Sequence, residues 1–384
     1  MTTIALPAAF GGQHTLRDPV SWPRPNGPLR SRTAFAAAHV VADPLGENRP
    51  GAPAAVDWEH TLAFRRHLWS YGLGVAEAMD TAQRGMGLDW TTTRELIRRS
   101  ASEARTAGGR IAAGAGTDHL DAQTPGLDDI LAAYTEQMEV VQDAGAQVIV
   151  MASRQLARAA TSPADYRQVY DRLLTQADNP VILHWLGPMF DPALTGYWGS
   201  TSTEEATAEF LGLIHDHASR VDGVKVSLLD AEHEKSLRAK LPPGVRLYTG
   251  DDFNYPELIK GDGTHASDAL LGIFAAIAPA ASGALQALDD NDDTAYEQAF
   301  APTVPLARHV FGTPTYYYKT GIAFLSWLSG HQPGFAMVGG LQSARSLPHL
   351  IKTFTLADAA GLFPAPDLAA HRMRLLLDLN GVTG

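Results

Sequence analysis

Short apolar runs alternate with amphipathic stretches of 12–20 residues through most of this chain, and that rhythm constrains the fold more than any other feature. Alternation of this kind marks βα units and a parallel sheet. Ala34–Val41 reads as the first strand and Val56–Tyr71 as its helix. Leu73–Met79 and Thr91–Ala107 make the second unit. Arg110–Ala115 is the third strand, and its helix opens at Pro125, where a missing N–H is harmless, and runs to Ala144. Gln147–Met151 is the fourth strand, with Ser162-Pro163 as a helix start. Pro180–Leu186 and Glu204–Arg220 follow, then Val221–Ser227 with Glu232–Leu241, and Val245–Thr249 with the short helix Tyr255–Lys260. An eighth strand lies within Asp268–Phe274, where the run AAIAPAASGALQAL blurs its end.

Eight such units in series predict an α/β fold, a closed (β/α)8 TIM barrel. A doubly wound sheet has the same local pattern, so the count carries the distinction. From Asp289 onward the pattern is helix alone, over Thr294–Val310, Tyr316–Leu328 and Asp367–Leu379, with no flexible linker before it. The expected organisation is an N-terminal extension over residues 1–30, rich in Pro and Gly and read as a hairpin capping one end. The barrel then occupies 31–290, and a helical C-terminal subdomain over 291–384 packs on it.

The 384 residues are 45% hydrophobic, enough for one large core, and barrels are the exception to the rule that such a length means two domains. A net charge of -12 with no Lys/Arg-rich run argues against nucleic acid. With no cysteine, disulfides, thiolate nucleophiles and Cys-ligated zinc are excluded. The first residues lack the basic-then-apolar pattern of a secretory signal, and apolar stretches such as Leu270–Pro279 are too short to span a bilayer. A cytoplasmic protein without membrane association is expected.

Active sites of such barrels lie at the C-terminal ends of the strands. Those ends carry Asp80 and Thr81, Gly116 and Thr117, Ser153, His184, Lys225, and the run Gly250-Asp251-Asp252. Lys225 stands inside the β-branched segment GVKVS. A buried ammonium is costly unless it is paired or loses its proton, and a neutral amine attacks carbonyls. The structural alternative is a lysine paired to Asp251 or Asp230. His184 is either a hydrogen-bonded rim histidine or a general acid/base. Asp251 and Asp252 serve either as turn caps or as partners for substrate or lysine. The loop DTAQRGMGLDW, which contains Gln83, and the loop GAGTDH offer backbone N–H groups, but glycines there are ordinary turn chemistry. DAEHE at Asp230–Glu234 concentrates metal-ligand types, although an acidic first helical turn explains it equally. His215 and His217 do not share a helix face. TYYYK at Thr315–Lys319 reads as packing.

GVKVS, followed about twenty residues later by RLYTGDD, resembles the sixth and seventh strands of the dihydrodipicolinate synthase / N-acetylneuraminate lyase superfamily. VDWEHTLAFRRHL resembles that family's first helix, GRIAAGAGT its third strand, DAGAQVIVMA its fourth and NPVILHWLGP its fifth. The likeness spans roughly residues 34–330. It implies a class I aldolase fold in which Lys225 is the Schiff-base lysine, and an assembly of two or four copies. The chain departs from the family at several points. The GTTGE-type loop is missing, with Asp80, Thr81 and Gln83 near its place. His184 stands where the fifth-strand tyrosine is expected, and Met151, Ala152 and Ser153 replace the fourth-strand tyrosine pair.

The expected function is therefore a Schiff-base lyase, aldolase or dehydratase acting on a small oxo acid or sugar-derived carbonyl compound, without an external cofactor or metal. Lys225 would form the imine and His184 would move protons. Asp80, Thr81, Gln83, Ser153, Asp251 and Asp252 would bind substrate. A metal-dependent sugar isomerase or hydrolase, and a non-catalytic binding protein on the same barrel, are the alternatives.

Overall fold

The computed structural model describes residues 2–79, 83–121 and 123–382. An antiparallel pair opens the chain, β1 (Thr3–Ala5) against β2 (Gln13–Thr15). The parallel strands follow: β3 (Ala34–Ala37), β4 (Gly74–Glu77), β5 (Ile111–Ala115), β6 (Gln147–Val150), β7 (Val181–Leu186), β8 (Val221–Ser227), β9 (Arg246–Thr249) and β10 (Asp268–Leu271). They pair in sequence, and β10 closes the ring between β9 and β3. The fold is thus the (β/α)8 barrel expected from the rhythm, with further helices after β10.

The first strand is shorter than its apolar run because side chains capture the backbone beyond Ala37. Gln83 accepts from Val40 N at 2.9 Å and donates to Ala38 O at 3.2 Å, while Thr61 accepts from Val41 N at 2.9 Å. The ambiguous run after β10 is a helix, Phe274–Asp289, and most of its residues are buried. A helix apolar on every side shows no 3.6-residue period, which is why periodicity could not place its start. The stretch Thr294–Val310 is two helices, Asp293–Phe300 and Thr303–Val310, with Pro302 at the junction, where it offers no N–H.

Inside the barrel, Phe35, Ala37, Ala76, Ile149, Ile182, Tyr248 and Leu270 form a core separate from the one between strands and helices. Large rings fit because facing positions are glycines. A Cβ at Gly74 would lie 2.5 Å from the Phe35 ring, and one at Gly223 would lie 2.6 Å from Tyr248. Outside the barrel, Glu77 of β4 meets Arg65 of the helix Trp58–Ser70 in a fully buried two-point pair at 2.9 and 2.8 Å. Arg65 also binds the carbonyls of His39 and Thr61. One buried pair thus joins the first helix to two strand ends.

The helices after β10 roof the barrel mouth. Lys319, buried on the helix Tyr318–Leu328, donates to Ala37 O at the end of β3. His39 bonds Gln332 at 2.8 Å. The β1–β2 pair packs against the last helices, through His14 to Asp358 at 2.9 Å and Thr2 to Asp367. Among the described residues no helix is long and apolar enough to cross a membrane.

Replacing Arg65 with Met should cost about 3–5 kcal/mol, because Glu77 would be left buried and charged, and adding Glu77→Leu should recover part of it. Urea titrations of the single and double variants measure both. Burial also pushes His39 and His67 down to about 3 and His331 to about 4. The unfolded chain binds protons at these sites near pH 6.5 while the folded one does not, so stability is full above that pH and falls toward pH 4. Each group contributes at most about 1.4 kcal/mol per pH unit. Glu234, raised by burial to about 8, acts in the opposite direction as one group against three. The urea midpoint should therefore fall from pH 6.5 to 4.5.

Candidate active site

Register fixes which side chains meet. His184 of β7 pairs with Lys225 of β8, and Lys225 pairs with Tyr248 of β9. Neighbours in register point to the same side of a parallel sheet. Since Tyr248 fills the barrel interior, Lys225 and His184 point inward too. Lys225 is only 6% exposed, and its amine lies 3.7 Å from the Met79 sulfur. The next inward position, Ser227, bonds His184 Nε2 at 3.2 Å.

These groups open on a narrow cleft at the C-terminal ends of the strands. Its walls are Lys225, His184, Ser227 and Asp252, with Met79, Leu186, Phe190, Gly272, Tyr316 and Tyr318. The clearance is about 20 Å³, room for one water-sized group. Asp252 accepts from Ile273 N at 2.8 Å, which fixes its carboxylate at the mouth. Burial and the Lys225 charge push the His184 pKa well below its ordinary value, so the ring is neutral. Its Nδ1 is buried with no partner among the described residues.

The other expected residues lie elsewhere. Asp80 and Thr81 fall outside the described residues. Gln83 holds the segment after β3, as described above. Ser153 caps the helix Arg154–Ala159 through Leu156 N and bonds Thr117 at 2.6 Å, in a separate cleft beside β5 and β6. Asp251 accepts from Phe253 N at 2.8 Å and from Asn254, closing the turn after β9. In the DAEHE stretch, Asp230 caps its helix, whereas Glu234 is buried and accepts from Thr249 and Ser267 at 2.9 and 2.8 Å. No group of three His, Asp or Glu among the described residues is arranged to hold a metal ion.

The sequence did not point to Tyr316 and Tyr318. Three successive tyrosines spread around a helix, but here the helix begins only at Tyr318 and a 3-10 turn covers Thr315–Tyr317. That break sends two of the three toward Lys225, and no local pattern encodes it.

This barrel, with an inward lysine on its sixth parallel strand, has the fold of the dihydrodipicolinate synthases. Its TM-score is 0.67 to YagE, a prophage protein of the dihydrodipicolinic acid synthase family from E. coli K12 solved with pyruvate, at 15% identity over 86% of this chain and 99% of that one. The dihydrodipicolinate synthase of Oceanobacillus iheyensis scores 0.64 at 12% identity, covering 86% of this chain and 96% of its own. The 4-hydroxy-tetrahydrodipicolinate synthase of Methylacidiphilum fumariolicum SolV scores 0.64 at 12% identity, covering 89% and 99%. No curated protein matches the sequence. The chain belongs to the family described as protein of unknown function (DUF993), whose model matches residues 4–382.

A Cβ added at Gly250 would lie 2.2 Å from Ser227 Oγ, 2.6 Å from Val226 O and 2.9 Å from Lys225 Cε. Gly250→Ala should therefore displace the lysine and lower its reactivity toward an amine-directed reagent at least ~10-fold, an effect typical of misplacing a reacting group. Labelling rates read by mass spectrometry measure it.

Proposed function

We propose that this protein is a class I, Schiff-base-forming lyase, aldolase or dehydratase acting on a small oxo acid or a sugar-derived carbonyl compound. One observation carries the reading: an almost fully buried lysine amine opens on a small cleft at the C-terminal end of its strand, beside a neutral histidine. Loss of a proton from a buried ammonium is eased by desolvation, and the neutral amine formed in that way is the nucleophile. Lys225 adds to the substrate carbonyl, and loss of water gives an imine. When protonated, the imine draws electrons from the adjacent carbon, so a neighbouring C–C or C–O bond can break. His184 accepts the proton released in that step, because a neutral imidazole has a lone pair to offer, and Ser227 at 3.2 Å orients the ring. Asp252, anchored by Ile273 N, holds a substrate hydroxyl at the mouth.

The fold likeness to a protein solved with pyruvate makes pyruvate the first probe. Borohydride added in the presence of pyruvate, or of a panel of sugar-derived oxo acids, should reduce the imine and leave a stable adduct on Lys225, located by peptide mass spectrometry. Lys225→Met should give none. An active enzyme whose Lys225 stays unmodified across the panel would sink the imine mechanism.

A further inference from the structure

Imine formation needs a proton acceptor for the amine and a proton donor for the departing hydroxyl. A resting neutral His184 suits the first role. The C-terminal segment brings a tyrosine to the cleft wall. Tyr316 lines the same walls as Lys225, His184 and Asp252. It is half-buried, so it faces both cleft and solvent. Tyr318, in contrast, is buried and stacks on Phe311 at 4.3 Å, forming a wall.

One buried side chain holds the turn that presents Tyr316. A terminal nitrogen of Arg345 reaches the carbonyls of Val310 at 3.2 Å, Gly312 at 2.8 Å and Pro314 at 3.1 Å. Val310 ends the helix Thr303–Val310, whose last carbonyls lack helical partners. A guanidinium suits them because its planar, permanently charged N–H groups bond several acceptors at once. The backbone entering Thr315–Tyr317 is thereby fixed from Val310 to Pro314.

We propose that Tyr316 donates the proton that completes imine formation at Lys225, and that Arg345 is the positioning residue that holds Tyr316 over the cleft. The inference rests on the Schiff-base reading above. Addition of the Lys225 amine to a carbonyl gives a carbinolamine. The Tyr316 O–H protonates the carbinolamine hydroxyl, the C–O bond breaks, the nitrogen lone pair forms C=N, and water leaves. The phenolate regains its proton from solvent on its open side.

The test is the rate at which the pyruvate-dependent, borohydride-trapped adduct appears on Lys225 in quenched-flow samples. General acids contribute roughly 10²-fold or more. Tyr316→Phe should slow adduct formation by about that factor and leave its final extent unchanged. Tyr317→Phe, whose ring packs on Tyr316 at 4.6 Å without lining the cleft, should match the wild type. Arg345→Met should slow the same step, and Arg345→Lys should restore part of the rate. Melting temperatures of the variants separate this from loss of fold, and if Arg345→Met does not fold, the Arg345→Lys rate decides the positioning role. Tyr316→Phe reacting at the wild-type rate would overturn the donor role, and an unslowed Arg345→Met would overturn the positioning. A wild type that forms no adduct with any oxo acid removes the Schiff-base reading itself, a result distinct from either.

Discussion

The parallel register across β7, β8 and β9 governs which polar groups meet at the mouth of this barrel. Once Tyr248 and Ile182 fill the interior, the same ladder obliges Lys225 and His184 to point inward above them. Glycines at 223 and 250 supply the space, since a methyl group at either would collide with Tyr248 or with Ser227 and Lys225. The polar groups thus stand on a floor of close-packed apolar side chains. Little water reaches them, and His184 is held neutral by that dryness and by the lysine charge.

The barrel alone does not complete the mouth. Helices that follow β10 cross the C-terminal ends of the strands and are fastened by Lys319 on Ala37 O, His39 on Gln332 and Arg345 on the turn after Val310. Through these contacts the cleft acquires Tyr316 and Tyr318. The Arg65–Glu77 pair anchors the same end of β3 from outside the barrel, where a charge left alone in the core would be far costlier than the intact pair is valuable. Site and scaffold therefore share fastenings, and several of those fastenings are buried polar groups rather than apolar contacts.

Agreement with solved structures of dihydrodipicolinate synthases and a member of their family at 12–15% identity shows how little of a barrel sequence its fold requires. Interior volume and strand register must be kept, and many sequences keep them. Reactions depend instead on the few groups at the strand ends. In this chain the cleft at the strand ends is lined by a histidine, and tyrosines from the C-terminal segment stand beside it.

Much of the fold was legible because strands and helices carry local periods. Eight alternating units, the lysine within GVKVS and the strand-end histidine needed no knowledge of distant contacts, whereas the inward direction of that lysine came from its register with Tyr248. Local patterns failed where burial was uniform, as in Phe274–Asp289, or where a side chain far along the chain captured the backbone, as Gln83 does after Ala37. They also could not separate Asp251 from Asp252. The two are adjacent, yet one closes its own turn and the other faces the cleft, a choice made by the position of Ile273. The sequence by itself thus determined the barrel and the place of Lys225, since both follow from short-range alternation. Only the tertiary structure decided which hydroxyls and carboxylates surround that amine, because those neighbours come from strands and helices up to a hundred residues or more apart and meet only when the barrel closes.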